Sequence, residues 1–227
     1  MSIAQQPDLP RHAPEGEPLP TAGHDATSHD AAHGRDQHGN PLDFERYVRR
    51  LEDPERLAWQ QPDEVIARLG LGPGAVVIEV GPGAGVWTRR LAAVVGETGR
   101  VYAVEVEPRL LALVRDRLEQ AGLGQVTPVL GLAGDPLLPP GSADLALLVT
   151  SYHHIADGGD YLARLRRCLR PGGRVAIIDF HRREQPVGPP PEHLVDRQTV
   201  IEAAEAAGLR LLAEHDFLPY HYFLIFG

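Results

Sequence analysis

The run Val76-Val77-Ile78-Glu79-Val80-Gly81-Pro82-Gly83-Ala84-Gly85 constrains this chain more than any other segment. Consecutive β-branched residues, without polar alternation, form the pattern of a strand covered on both faces, which is the strand of a parallel sheet. Glycine at every second position then gives a tight turn where a ligand can lie against bare backbone, because a Cβ there would collide with it. From Val86 the sequence Val-Trp-Thr-Arg-Arg-Leu-Ala-Ala-Val-Val is helical. A glycine turn between a buried strand and a helix is where open α/β sheets place their ligands.

The rest of the chain repeats that alternation. Strands are predicted near 76–80, 100–106, 126–130, 144–150 and 173–179, and helices near 86–95, 108–121, 159–169 and 198–207. Two apolar runs, Leu209 to Phe217 and Tyr220 to Phe226, close the sequence. Such alternation implies βαβ units and a mostly parallel sheet. Upstream, helical patterns cover Phe44 to Leu51, open again at Pro54, and run from Pro62 to a stop at Gly70, with proline well placed in a first turn. Residues 1–42 differ: six prolines, five histidines and almost no large apolar side chains predict a disordered tail ahead of a domain at 43–227.

The glycine register separates two cofactor classes. A dinucleotide fingerprint wants a small third residue, and starting it at Gly81 puts Val86 there. The register Glu79-x-Gly81-x-Gly83-x-Gly85 instead resembles motif I of the class I S-adenosylmethionine-dependent methyltransferases. Three more segments extend the resemblance over roughly Pro62 to Gly227. Glu105 ends the second strand 24 residues after Gly81, Ala143 to His154 is similar to the family's fourth strand and the turn after it, and Leu169 to Asp179 is similar to its Pro-Gly-Gly turn and fifth strand. The resemblance implies a Rossmann-like seven-stranded sheet, order 3-2-1-4-5-7-6 with strand 7 antiparallel and helices on both faces. It also implies residues 43–70 as a helical lid.

Carried over position by position, the resemblance assigns cofactor contacts to Glu79, Gly81, Pro82, Gly83, Gly85, Glu105, Asp135 and Thr150. Glu79 would meet the amino end of the cofactor. Glu105 would hold the ribose hydroxyls through two charge-assisted bonds of roughly 1.5–3 kcal/mol each. The family's acidic adenine contact falls here on Leu132, so either Asp135, three residues on, supplies the carboxylate or the adenine meets backbone amides only. Tyr152, His153 and His154 follow the fourth strand and are the catalytic candidates. Methyl transfer is an in-line displacement that depends chiefly on positioning, and histidine suits an acceptor that must lose a proton. The two histidines are not distinguished by sequence. Trp59 and Gln60 are candidate lid residues, as is the proline-rich segment Glu184 to Pro191. His153 or His154 with Asp179 and His181 would be the set for a metal, but no metal is assigned.

Composition narrows the partners. A net charge of −9 argues against nucleic acid, which needs a basic face. The chain holds 22 Arg and no Lys, a compositional bias rather than a chemical signal. The single cysteine excludes an internal disulfide. With no ~20-residue apolar span and no secretion signal, a soluble cytoplasmic protein with no membrane partner is expected, a homodimer remaining open. The expected function is methyl transfer to a small-molecule acceptor. The alternative is a protein of the same fold that binds cofactor, or metal through the tail histidines His24, His29, His33 and His38, without turnover.

Overall fold

A computed structural model describes residues 43–227. The tail at 1–42, with its histidines, lies outside the described residues. Three short helices open the domain: α1 Phe44–Leu51, α2 Pro54–Gln60 and α3 Pro62–Leu69. Asp43 and Asp53 accept hydrogen bonds from the amides of Arg46 and Glu55, each at 2.9 Å, and so start the first two helices. Gly70 ends the third in the left-handed conformation.

Seven strands follow: β1 Val76–Val80, β2 Arg100–Glu105, β3 Val126–Leu130, β4 Ala143–Val149, β5 Leu169–Phe180, β6 Leu211–His215 and β7 His221–Phe226. They form one sheet in the order β3-β2-β1-β4-β5-β7-β6, with β7 antiparallel to both neighbours and the other pairs parallel. Helices α4 Val86–Val95, α5 Pro108–Ala121, α6 Gly158–Cys168 and α7 Arg197–Ala206 connect them. The uninterrupted apolar strands are explained by the two core layers they feed. Val77, Leu145, Leu147 and Ile178 face the layer holding Leu69 and Leu91, while Ile78, Ala146, Leu148 and Ile177 face the one holding Leu162 and Val200.

Two of the boundaries that differ from the sequence expectation bear on the site. Helix α6 ends at Cys168, because Leu169 is already extended and pairs with Ala143. The Pro-Gly-Gly segment is therefore a bulge inside β5, with pairing resumed at Arg174 opposite Leu145. Strand β4 ends at Val149, which leaves Thr150 in the following turn at φ 50°, a strained value for a β-branched residue.

Strand β1 is paired to β2 on one side and β4 on the other, so the chain reverses its winding at the carboxyl end of β1. Ligands of open α/β sheets bind in the crevice outside such a point.

Candidate active site

The glycine loop after β1 is held open by sterics on both sides. Gly81 has φ +72°, and a Cβ there would lie 3.0 Å from the Ser151 Cβ beyond β4. Gly83 has φ +55°, and its Cβ would lie 3.0 Å from Leu51 Cδ1 at the end of α1. Larger side chains would be both strained and crowded at these positions. Gly85 caps the start of α4 without a side chain.

A cleft of about 410 Å³ opens over this loop, within the range of small-ligand sites. Its floor is Gly81, Pro82 and Gly83. One wall is formed by Arg56, Trp59 and Gln60 of α2, the other by Thr150, His153 and His154. Phe180 and the segment Val187 to Pro190 close it. Both lid segments read from the sequence thus reach the cleft. Trp59 also packs, with ring centroids 5.9 Å from Phe180 and 5.2 Å from His221, so it serves as wall and anchor together. The end of α1 is latched to the loop: Arg117 of α5 makes a two-pronged ion pair with Glu52 at 2.7 and 3.1 Å and donates to the Ala84 carbonyl at 2.6 Å.

Two buried carboxyls lie at the base of this loop rather than on the cleft surface. Glu79 is 3% exposed, and its Oε2 has no hydrogen-bond partner. Burial pushes its pKa up to about 7, against the partial opposition of nearby Thr88. Glu105 stands one residue past the Val80–Val104 pair, and its Oε1 accepts from the amides of Val106 at 2.8 Å and Glu107 at 3.0 Å. Burial raises its pKa too, countered by the amides of Glu107, Val106 and Gly83. These features fit S-adenosylmethionine: a buried carboxyl with one unpartnered oxygen for an ammonium, a fixed carboxylate for a diol, and a loop where a Cβ would intrude.

Asp135 does not line the cleft. Its Oδ1 accepts from the Leu137 amide at 2.9 Å and its Oδ2 from Arg164 at 2.8 Å, so both oxygens serve the turn. Leu130 and Leu132, 51% and 58% exposed near Glu105, instead offer an apolar shelf where the resemblance puts the adenine. Tyr152 also lies away from the cleft. It is 3% exposed in the core layer holding Leu162, its hydroxyl so close beneath Gly158 that a Cβ there would fall 2.3 Å away. Burial raises its pKa to about 12, which suits a packing residue rather than an acid or base.

His153 differs from its neighbour in having a carboxylate behind it. Its Nδ1 lies 2.8 Å from Asp179 Oδ1, and its own amide donates to Oδ2 at 3.1 Å. Asp179 is 1% exposed; burial opposes its ionisation, but His153 and the Phe180 amide hold its pKa below the ordinary carboxylate value. An ionised Asp179 favours the tautomer with the proton on Nδ1, in which Nε2 is the accepting nitrogen. The His154 ring lies tilted against that of His153, with centroids 4.1 Å apart. His181 turns instead toward Tyr222, 6.0 Å between rings, and no cluster of three or more metal-ligating side chains occurs among the described residues.

Sequence reasoning weighed Asp179 only as a metal ligand, not as the carboxylate behind His153, and missed Arg56. Asp179 carried a signal, an acid ending the otherwise apolar run Val-Ala-Ile-Ile-Asp. Arg56 carried none, being one arginine of many in a short helix.

Sheet order, glycine loop and buried carboxyls define the class I S-adenosylmethionine-dependent methyltransferase fold. Residues 77–173 match the family model described as Methyltransferase domain. A solved S-adenosylmethionine-dependent methyltransferase from Aquifex aeolicus is 29% identical, with a TM-score of 0.76 over 81% of this chain and 97% of that one. The ubiquinone/menaquinone biosynthesis C-methyltransferase UbiE of Burkholderia mallei is 30% identical over 123 residues, 54% of this chain and 50% of that protein. The chain thus spans about half the length of the curated relatives it matches. The [4+2]-cyclase SpnF shares the fold at 22% identity and a TM-score of 0.62, so the fold alone does not dictate the reaction. No helix among the described residues is long and apolar enough to cross a membrane.

Proposed function

We propose that this protein transfers a methyl group from S-adenosylmethionine to a small-molecule acceptor, with His153 as the base. The observation that carries the reading is one cleft joining the glycine loop, above Glu79 and Glu105, to the His153–Asp179 pair. When bound, S-adenosylmethionine supplies an electrophilic methyl carbon. Glu79 takes the cofactor's ammonium, Glu105 its ribose hydroxyls, and Leu130 and Leu132 support its adenine. Asp179 fixes the His153 ring and its tautomer, and Nε2 accepts the proton that an acceptor must lose. Trp59, Phe180 and the proline-rich segment exclude water from the reacting centre. The cleft volume favours a small acceptor.

The test is incubation with methyl-labelled S-adenosylmethionine and a whole cell extract, whose small-molecule and macromolecular fractions are then counted separately. Label should appear in small products together with S-adenosylhomocysteine, and His153→Gln should abolish it. Transfer to macromolecules alone, or no turnover, would overturn the reading.

A further inference from the structure

Arg56 stands in the cleft as a cation without an anion. Its Nη2 donates to the Thr150 hydroxyl at 3.0 Å, and its guanidinium carbon sits 5.5 Å from the Trp59 ring centroid. Among the described residues no carboxylate lies within ion-pair distance of it. Asp179 is close enough to be felt electrostatically, but its oxygens are taken by His153 and two backbone amides. Burial lowers the Arg56 pKa to about 10, a sign of how poorly the charge is solvated there. A guanidinium carries five N–H donors in a fixed fork, and a neutral hydroxyl uses one of them. A desolvated cation left in that state is costly, and a carboxylate meeting the fork in two-pronged fashion relieves the cost.

The surroundings of that fork are flat. Trp59, Phe180, His153 and His154 all line the cleft, and their rings adjoin in turn: 5.9 Å from Trp59 to Phe180, 6.4 Å from Phe180 to His153 and 4.1 Å from His153 to His154. Aromatic walls favour a planar, conjugated body. Thr150, the partner of Arg56, is three residues from His153, so the charge-binding group and the base lie at the same end of one strand.

We propose that the methyl acceptor is a small aromatic carboxylate, its carboxylate held by Arg56 and its ring between the aromatic walls. This rests on the methyl-transfer reading of the cleft. The cofactor also carries a carboxylate, so the experiment must separate the two sources.

The full chain, saturated with S-adenosylhomocysteine, is titrated calorimetrically with 4-hydroxybenzoate and with its methyl ester, in wild type, Arg56→Gln and Arg56→Lys. The acid should bind wild type at least about 10-fold tighter than the ester, the fold-change of one lost charge-assisted contact. That preference should vanish in Arg56→Gln and return in part in Arg56→Lys, which keeps charge without the fork. S-adenosylhomocysteine affinity should stay within about 3-fold throughout, since a single acceptor contact leaves the cofactor's own contacts intact. Arg56 belongs to neither core layer, and equal melting temperatures will show that the variants fold. An acid that binds wild type no tighter than the ester, or no binding of either, overturns the proposal. So does a loss of S-adenosylhomocysteine affinity in Arg56→Gln with acid preference intact, which would assign Arg56 to the cofactor's carboxylate. Failure of wild type to bind S-adenosylhomocysteine at all would overturn the methyl-transfer reading, and this proposal with it.

Discussion

Cofactor binding should expel a proton from Glu79. With its pKa near 7, the carboxyl is about half protonated at pH 7 in the free protein and roughly 90% protonated at pH 6. An ammonium arriving beside the unpartnered Oε2 supplies an opposite charge, which depresses a carboxyl pKa by about 1–3 units. A two-unit drop gives release of roughly 0.8 proton per cofactor at pH 6 and about 0.5 at pH 7. Apparent affinity for S-adenosylhomocysteine should accordingly rise about five-fold between these pH values. Titration calorimetry in phosphate and in Tris reads the proton count from the difference in apparent enthalpy. Glu79→Gln should remove most of the release and flatten the affinity profile. A wild-type enthalpy independent of buffer at pH 6, or full release in Glu79→Gln, would refute the assignment of Glu79 to the cofactor's amino end.

Three further outcomes are expected. Glu105→Ala should weaken S-adenosylhomocysteine binding by roughly 10- to 100-fold, and unchanged calorimetric affinity would mean that the ribose is held elsewhere. Asp179→Asn should lower the methyl-transfer rate by about 100-fold or more, while KM and cofactor affinity stay within about 3-fold; a shifted pH–rate profile distinguishes this from simple loss of folding. His221 is fully buried with neither ring nitrogen hydrogen-bonded, and burial drops its pKa to about 3. The unfolded chain therefore binds its proton between about pH 6.5 and 3 while the folded chain does not, so this group costs about 1.4 kcal/mol of stability per pH unit as pH falls through that window. Urea unfolding at pH 5 and pH 7 should show His221→Phe gaining stability relative to wild type at the lower pH, and an equal difference at both would contradict the burial argument.

The sheet was legible because its strands are buried on both faces. Val76 to Val80, Ala143 to Val149 and His221 to Phe226 read as nearly continuous apolar runs, broken only by Glu79, Asp144 and His221, and glycine and proline mark most junctions. The glycine loop was legible for a related reason: Gly81 and Gly83 hold positive φ against Ser151 and Leu51, which only glycine tolerates well. Legibility failed where function depends on contacts between distant segments. Nothing near Asp135 announces that Arg164, 29 residues on, will take its carboxylate. The pattern around Tyr152 does not tell a cleft residue from a buried one, because the 3-10 turn Tyr152–His154 sends Tyr152 to the core and the two histidines to the cleft. Asp179 and Arg56 acquire their roles only when β5 and the lid are brought to the same end of the sheet.

The central claim is that this cleft holds S-adenosylmethionine, and calorimetric titration of the purified full chain with S-adenosylmethionine, S-adenosylhomocysteine and NADH in parallel tests it most directly. Micromolar binding of both sulfur compounds with none of NADH is the result the glycine register and the buried carboxyls predict. Binding of NADH, or of neither sulfur compound, would contradict it.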